Sequence, residues 1–292
     1  MESLPLIAIV GPTASGKTGL AIKLAKEFNG EIISADSRAV YRGLDIGTAK
    51  PTLAERQGVP HWGFDLVNPG DRVTAADFKN YAVRKIYEIR ERGNIPIIVG
   101  GTGLYVDAVV YDFQFTEGTN DVARRDELLK KSLQYLHEYC YKNNIKLPEN
   151  ENNKRYVVNV ILRNGVEQKR RKSPLENTII VGITTEKNVL RQRLHTRALE
   201  IFSGDIVAET LTAAKSFGWS NEAMTGNVYP LIRQLSIGDI TQTEAIERFE
   251  VLDWRLAKRQ LTWLRRDPYI LWLELEQAYT YLARQLAKLS ES

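Results

Sequence analysis

The run Gly11-Pro12-Thr13-Ala14-Ser15-Gly16-Lys17-Thr18 constrains this chain more than any other stretch. It fits G-x-x-x-x-G-K-S/T, a loop between strand and helix whose backbone N–H groups wrap around phosphate oxygens. The context agrees with the pattern. Leu6-Ile7-Ala8-Ile9-Val10 is an apolar run of strand length, and Leu20, Leu24 and Phe28 then recur at helical spacing. Gly11 and Gly16 permit backbone conformations closed to other residues. The helix N-terminus behind the loop adds positive dipole character. Lys17 is placed to reach two phosphate groups, and Thr18 to set its hydroxyl on Mg2+. A glycine-containing turn that merely fits the pattern is the alternative, and the flanking strand and helix weigh against it. The expected ligand is a pyrophosphate or a nucleotide phosphate tail, ATP included.

Glu31-Ile32-Ile33-Ser34-Ala35-Asp36 reads as a short buried strand ending in a carboxylate. In an open parallel sheet the carboxyl ends of strands face the ligand crevice. Asp36 is therefore a site candidate, with a helix N-cap as the structural alternative. Residues 36–52, punctuated by Gly43, Gly47 and Pro51, read as a functional loop. Trp62 to Leu66 suggests a strand. Thr74 and Asp77 form a capping-box signature ahead of a helix with Phe78, Ala82, Ile86 and Ile89 on one face. Ile95 to Val99 is another buried strand, ending in Gly100-Gly101-Thr102-Gly103. Those glycines suggest close backbone approach to a ligand or a plain strand-to-helix turn. In many P-loop ATPases such a strand ends in an Asp that helps hold Mg2+. Here it ends Gly-Gly-Thr, which weakens the case for phosphoryl transfer.

From about residue 115 to 172 charge becomes dense, and the segment reads as a small helical insertion. One helix is marked by Leu128, Ser132, Leu136 and Tyr139, and another starts at Lys154-Arg155-Tyr156. Lys169-Arg170-Arg171-Lys172 closes it, as a solvated linker or a binding patch. The sheet resumes at Thr178 to Ile183, and the following helix carries Arg193 and Arg197, which suit an anion or ordinary helix salt bridges. The remainder reads as helical. Trp254, Ala257, Leu261 and Leu264 make an apolar stripe; Arg255, Lys258, Arg259, Thr262 and Arg266 fall on another face. That face fits a nucleic-acid backbone or is simply solvated.

The fold class expected is α/β: a P-loop NTPase-like parallel sheet flanked by helices, with a small helical insertion domain. Residues 1–115 and 173–292 form the core and 116–172 the insertion. Cys140 is the only cysteine, so no disulfide framework or cysteine zinc site is expected, and His61, His137 and His195 show no metal-ligand spacing. A net charge of +4 gives no global basic field, so any nucleic-acid surface must be local. With no leader pattern and no apolar span, the chain is expected to be cytoplasmic and off the membrane.

Beyond the P-loop, Ile33-Ser34-Ala35-Asp36-Ser37-Arg38, the block Val40 to Pro51, Val99 to Tyr105 and Ala257-Lys258-Arg259-Gln260-Leu261-Thr262-Trp263-Leu264-Arg265 together resemble the tRNA dimethylallyltransferases, bacterial type. The resemblance implies transfer of a dimethylallyl group from dimethylallyl diphosphate to N6 of the adenine just 3′ of a tRNA anticodon, by a monomer using Mg2+. It implies a diphosphate cradle of Gly11, Pro12, Thr13, Ala14, Ser15, Gly16, Lys17 and Thr18 with Arg193 and Arg197, and Thr18 on the metal. Asp36 is then the general base and Thr102 the threonine beside it. The tRNA anticodon stem-loop is met by Asp36, Ser37, Arg38, Ala39, Thr102, Arg125, Arg155, Arg255, Lys258, Arg259, Gln260, Trp263 and Arg266. The chain departs from the family pattern at Ala39, where Gln is usual, at Asn152 to Leu162, and at Val228-Tyr229-Pro230. The alternatives are an adenylate dimethylallyltransferase acting on AMP, ADP or ATP, a P-loop small-molecule kinase, and an RNA-binding homologue without full catalysis.

Overall fold

The computed structural model describes residues 4–115, 121–166 and 169–288. Six strands form one sheet in the order β3-β2-β4-β1-β5-β6, every neighbour parallel. They are β1 (Leu6–Val10), β2 (Gly30–Ser34), β3 (His61–Trp62), β4 (Ile95–Gly100), β5 (Thr178–Ile183) and β6 (Leu271–Leu273). The central strands β1, β2 and β4 are buried along their whole length, which accounts for their near-continuous apolar sequences.

Side chains alternate across the sheet. Ile7, Ile9, Ile32, Ile97 and Val99 join Leu20 and Leu24 of α1 (Lys17–Glu27) and Leu282 and Leu286 of α12 (Leu275–Ala287) in one core cluster. Ala8, Ile33 and Ile98 point to the opposite face. α3 (Ala75–Glu91) contacts β2, β4 and α4 (Gly103–Val110), and the Phe78 and Tyr105 rings stack at 4.2 Å. The Thr74–Asp77 capping box forms as expected, and Phe78, Ala82, Ile86 and Ile89 are buried. Short α2 (Leu53–Arg56) closes the 36–52 loop. After β5 come α8 (Lys187–Ser203), α9 (Ile206–Phe217), α10 (Tyr229–Ser236) and α11 (Gln242–Leu264).

Strand order brings three loops side by side at the carboxyl edge of the sheet. β1 feeds the P-loop, its neighbour β4 feeds Gly101-Thr102, and β2 beyond it feeds Ala35-Asp36.

Four sequence expectations need correction. β2 stops at Ser34, so Asp36 lies two residues into the loop. The strand expected over Trp62–Leu66 ends at Trp62, because Gly63 at φ 90° and Asp65 at φ 55° turn the chain out of extended geometry. The helix expected through Leu128 to Tyr139 is two helices, α5 (Val122–Lys130) and α6 (Leu133–Lys142), since the Ser132 side chain accepts from the Tyr135 amide and starts a new helix. The C-terminal part is not all helical, because Leu271–Leu273 adds a sixth strand to the edge of β5.

The chain divides into two compact units, Met1–Val110 with Ser173–Ser292, and Tyr111–Lys172. The expected boundary at 116 falls outside the described residues. The smaller unit has its own core: Leu128, Leu136, Cys140, Val157, Val158 and Ile161 pack together from α5, α6 and α7 (Lys154–Leu162). No described helix is long and apolar enough to cross a membrane.

Candidate active site at the phosphate-binding loop

The P-loop takes the backbone path its sequence calls for. Gly16 has φ 87°, a left-handed conformation that a glycine adopts without strain. A side chain there would also press on Leu275 at 3.2 Å. The Lys17 ammonium folds back to donate to the Pro12 carbonyl at 2.9 Å. Arg193 donates to the Ser15 carbonyl at 3.2 Å. Arg197 donates to the Thr13 hydroxyl at 2.5 Å and to Asp253 Oδ2 at 2.6 Å. The Thr13 amide donates to Gln260 Oε1 at 2.8 Å.

One cavity joins this loop to the end of β2. Thr13, Lys17, Thr18 and Arg197 line it on one side and Ser34 and Asp36 on the other. Ile32, Ala39, Phe64 and Val99 supply apolar wall between them. Burial pushes the Lys17 ammonium down to about 8, against the pull of the Asp36 carboxylate, while the Arg197 charge adds to the fall. Asp36 uses Oδ1 to accept the Arg38 amide at 2.8 Å. Among the described residues no group donates to its other oxygen.

Among the described residues Thr102 makes no hydrogen bond to the Asp36 carboxylate. Its hydroxyl accepts the Ser37 amide at 3.1 Å, and its amide donates to the Ala35 carbonyl at 3.2 Å. The threonine braces the backbone on both sides of the carboxylate. The glycines around it answer to the protein's own chain. A Cβ at Gly100 would lie 2.1 Å from the Ala35 carbonyl oxygen, one at Gly101 2.3 Å from Gln260 Nε2, and one at Gly103 2.1 Å from the Trp263 ring. The close approach is made by the Ala35 backbone just past β2 and by Gln260 and Trp263 of α11.

α11 has two roles on two faces. Arg255, Lys258 and Arg259 are exposed, as is Arg266 just past the helix. Gln260 and Trp263 are half-buried, and both bond within the protein, Trp263 donating from its indole N–H to Asp107 at 2.8 Å. These bonds turn the two side chains toward the protein's own Thr13 and Asp107. Arg38 donates to the Glu222 carbonyl at 2.7 Å, and the Ala39 methyl is buried in the cavity wall. In the smaller unit, Arg125 bonds Asn159 Oδ1 at 2.7 Å, while Arg155 at the start of α7 is exposed.

Three residues that shape the site carry no local sequence signal. Asp253 is a buried carboxylate on α11. Glu209, on an ordinary amphipathic helix, accepts the amides of Asp45, Ile46 and Gly47 at 2.7, 2.7 and 3.0 Å. Lys50 is buried and holds Asp45 at 2.7 Å and Asp65 at 2.6 Å. Together Glu209 and Lys50 pin the loop that supplies Thr48, Ala49 and Pro51 to the cavity. Glu209 reaches back 162 to 164 residues, and Lys50 ties Asp45, five residues before it, to Asp65, 15 residues after it, pairings that only the fold reveals.

A phosphate loop and a carboxylate in the loop just after a neighbouring strand, around one cavity, define an α/β protein of the P-loop kind. Residues 39–267 match the model of the family described as IPP transferase. The tRNA dimethylallyltransferase of Carboxydothermus hydrogenoformans is 38% identical over 92% of this chain and 91% of its own, and that of Bacillus subtilis is 34% identical over 93% and 91%. The solved structure of the Bacillus halodurans tRNA isopentenylpyrophosphate transferase shares 34% identity and a TM-score of 0.74 over 98% of each chain. A eukaryotic dimethylallyltransferase acting on tRNA, 22% identical, shares the fold at a TM-score of 0.76 over 94% of this chain and 74% of its own. The chain belongs to the IPP transferase family.

Proposed function

We propose that this protein transfers a dimethylallyl group from dimethylallyl diphosphate to N6 of the adenine 3′ to a tRNA anticodon, releasing diphosphate. The observation that carries the reading is the single cavity with the P-loop cations at one end, Asp36 at the other and apolar wall between. A diphosphate suits the cationic end, a short alkyl group the apolar wall, and an amine that must lose a proton the carboxylate.

The adenine cannot offer N6 from within a stacked loop, so it leaves the stack to react. The exocyclic amine is a weak nucleophile because its lone pair is delocalised into the ring. As the N6–C1 bond to the allylic carbon forms, the C1–O bond to diphosphate breaks. The free oxygen of Asp36 accepts the amine proton. Lys17, Arg193 and Arg197 oppose the charge that develops on the leaving diphosphate. Thr102 keeps Asp36 in place through Ser37 and Ala35.

The donor set fits Mg2+. Thr18 lines the cavity and its hydroxyl bonds to nothing among the described residues, and in P-loop proteins the hydroxyl at this position helps hold Mg2+ beside the phosphates. When bound, the ion neutralises diphosphate charge. Exposed Arg255, Lys258, Arg259 and Arg266, with Arg125 and Arg155 of the smaller unit, are the groups we assign to tRNA phosphates. The reading places the protein in the cytoplasm with its tRNA.

Incubation with labelled dimethylallyl diphosphate and either tRNA or AMP tests the assignment. Label in tRNA is the expected result. Label in AMP identifies an adenylate prenyltransferase, and RNA binding with no label in either acceptor ends the catalytic reading.

A further inference from the structure

We propose that Asp253 is the positioning residue for Arg197, holding its guanidinium ready for the diphosphate of the prenyl donor. The inference rests on the function proposed above. Asp253 lies on α11 with only 3% of its side chain exposed, and Arg197 on α8 with 19%. A carboxylate buried this far is costly unless it is paired and its oxygens are used. Both are used here. Oδ2 accepts from Arg197 Nη1 at 2.6 Å, and Oδ1 accepts from Asn227 Nδ2 at 2.9 Å. Asn227 fixes the carboxylate, and the carboxylate fixes the arginine.

Arg197 is left poised by this arrangement. A guanidinium carries five N–H donors in a rigid fork. Its Nη1 reaches Asp253 and the Thr13 hydroxyl, and its other N–H groups meet no partner among the described residues. Arg197 lines the cavity that Lys17 also lines. An arginine without the Asp253 anchor would have to be ordered when the donor binds, at a cost in affinity. Asp253 also supplies the negative charge that lets Arg197 and Lys17 share a cavity before any anion arrives. The two effects of that charge oppose each other. Anchoring Arg197 strengthens diphosphate binding, whereas a carboxylate acting only as a nearby charge would weaken it. The sign of the mutational effect separates them.

The test measures pyrophosphate affinity by calorimetry and the separate KM values for dimethylallyl diphosphate and tRNA. It compares wild type, Asp253→Asn, Asn227→Ala, Arg197→Ala and the double variant Arg197→Ala/Asp253→Asn. In Asp253→Asn, pyrophosphate affinity is expected to fall and donor KM to rise about tenfold, as for loss of one charge-assisted anchor. The tRNA KM stays unchanged. Asn227→Ala moves the same two quantities in the same direction by less, and it carries the test if Asp253→Asn fails to fold. The double variant binds pyrophosphate no worse than Arg197→Ala alone, because Asp253 acts through Arg197. A folded Asp253→Asn with unchanged or tighter pyrophosphate binding overturns the proposal, and so do additive losses in the double variant. A general structural role for Asp253 would lower melting temperature without selecting donor KM over tRNA KM. If wild type binds no pyrophosphate, the functional reading itself falls and this inference with it. If wild type binds pyrophosphate and the variants match it, this inference alone falls.

Discussion

Strand β2 carries a carboxylate near each end, and the two live in opposite circumstances. Glu31 sits at the amino end with 3% of its side chain exposed. Arg92 reaches it with two N–H groups, each at 2.8 Å, Asn94 donates at 2.8 Å and the Trp62 indole at 2.7 Å. Burial by itself would raise the Glu31 carboxyl, but these donors outweigh it and hold the group below the usual range. Asp36, past the carboxyl end, accepts among the described residues only the amide of Arg38, two residues on. A carboxylate surrounded by donors is finished and serves the fold. One with an oxygen left over, facing a cavity, has work available to it.

The largest expected effect belongs to Asp36. Asp36→Ala is predicted to cut single-turnover transfer by roughly 10²–10⁴-fold, the range for a general base, with little change in melting temperature. Transfer at the wild-type rate would make Asp36 as structural as Glu31. Glu31→Ala reverses the pattern. It strands Arg92 and removes a buried partner, at a cost of about 3 kcal/mol, the low end for a broken buried pair because Arg92 is partly exposed. Denaturant melts measure the loss, while transfer per folded molecule is unchanged.

Acid sharpens the comparison further. Since the folded-state value of Glu31 is depressed, its stabilisation is fully present well above the unfolded value near 4.5 and is lost as pH falls through the lower folded value. Wild-type stability therefore drops more steeply below pH 4.5 than that of Glu31→Gln. At the Asp36 end the controlling group is Lys17, with its ammonium at about 8. Below that pH the free site already carries the charge. Above it, binding a diphosphate must draw a proton from solvent, so donor affinity declines as pH rises past 8. The curve for Lys17→Ala is lower and lacks this decline. The smallest effect concerns α11. Replacing Lys258 and Arg259 with Ala is expected to flatten the slope of log tRNA affinity against log salt by about 0.7–0.9 per lost phosphate contact. An unchanged slope returns that face to solvent.

Much of the fold is legible in the sequence because buried parallel strands and capped helices announce themselves locally. The P-loop, β4 and the Thr74–Asp77 cap are read directly from neighbouring residues. The two-residue β3 and the edge strand β6 are not, since pairing with β2 and β5 makes them strands and their own composition does not. At the site, the motif residues surface at once, but their division of labour does not. Gln260 and Trp263 look like surface readers beside Lys258 and Arg259. In the fold Gln260 reaches the Thr13 amide and Trp263 reaches Asp107, beside Gly101 and Gly103, and neither partner is near in sequence. Asp253 reads as one more acid in a charged helix until Arg197, 56 residues earlier, is placed against it.

The partners of the P-loop have a consequence for how the protein is made. Its Thr13 amide is held by Gln260, 247 residues further along, and its Thr13 hydroxyl by Arg197, 184 residues along. Chains leave the ribosome at roughly 5–20 residues per second, so the loop waits on the order of ten seconds or more for the helices that shape it. The motif is synthesised well before the helices that complete it and becomes competent only after them. A chain stalled before α11 would display a complete phosphate-binding sequence whose loop lacks the contacts that set its form.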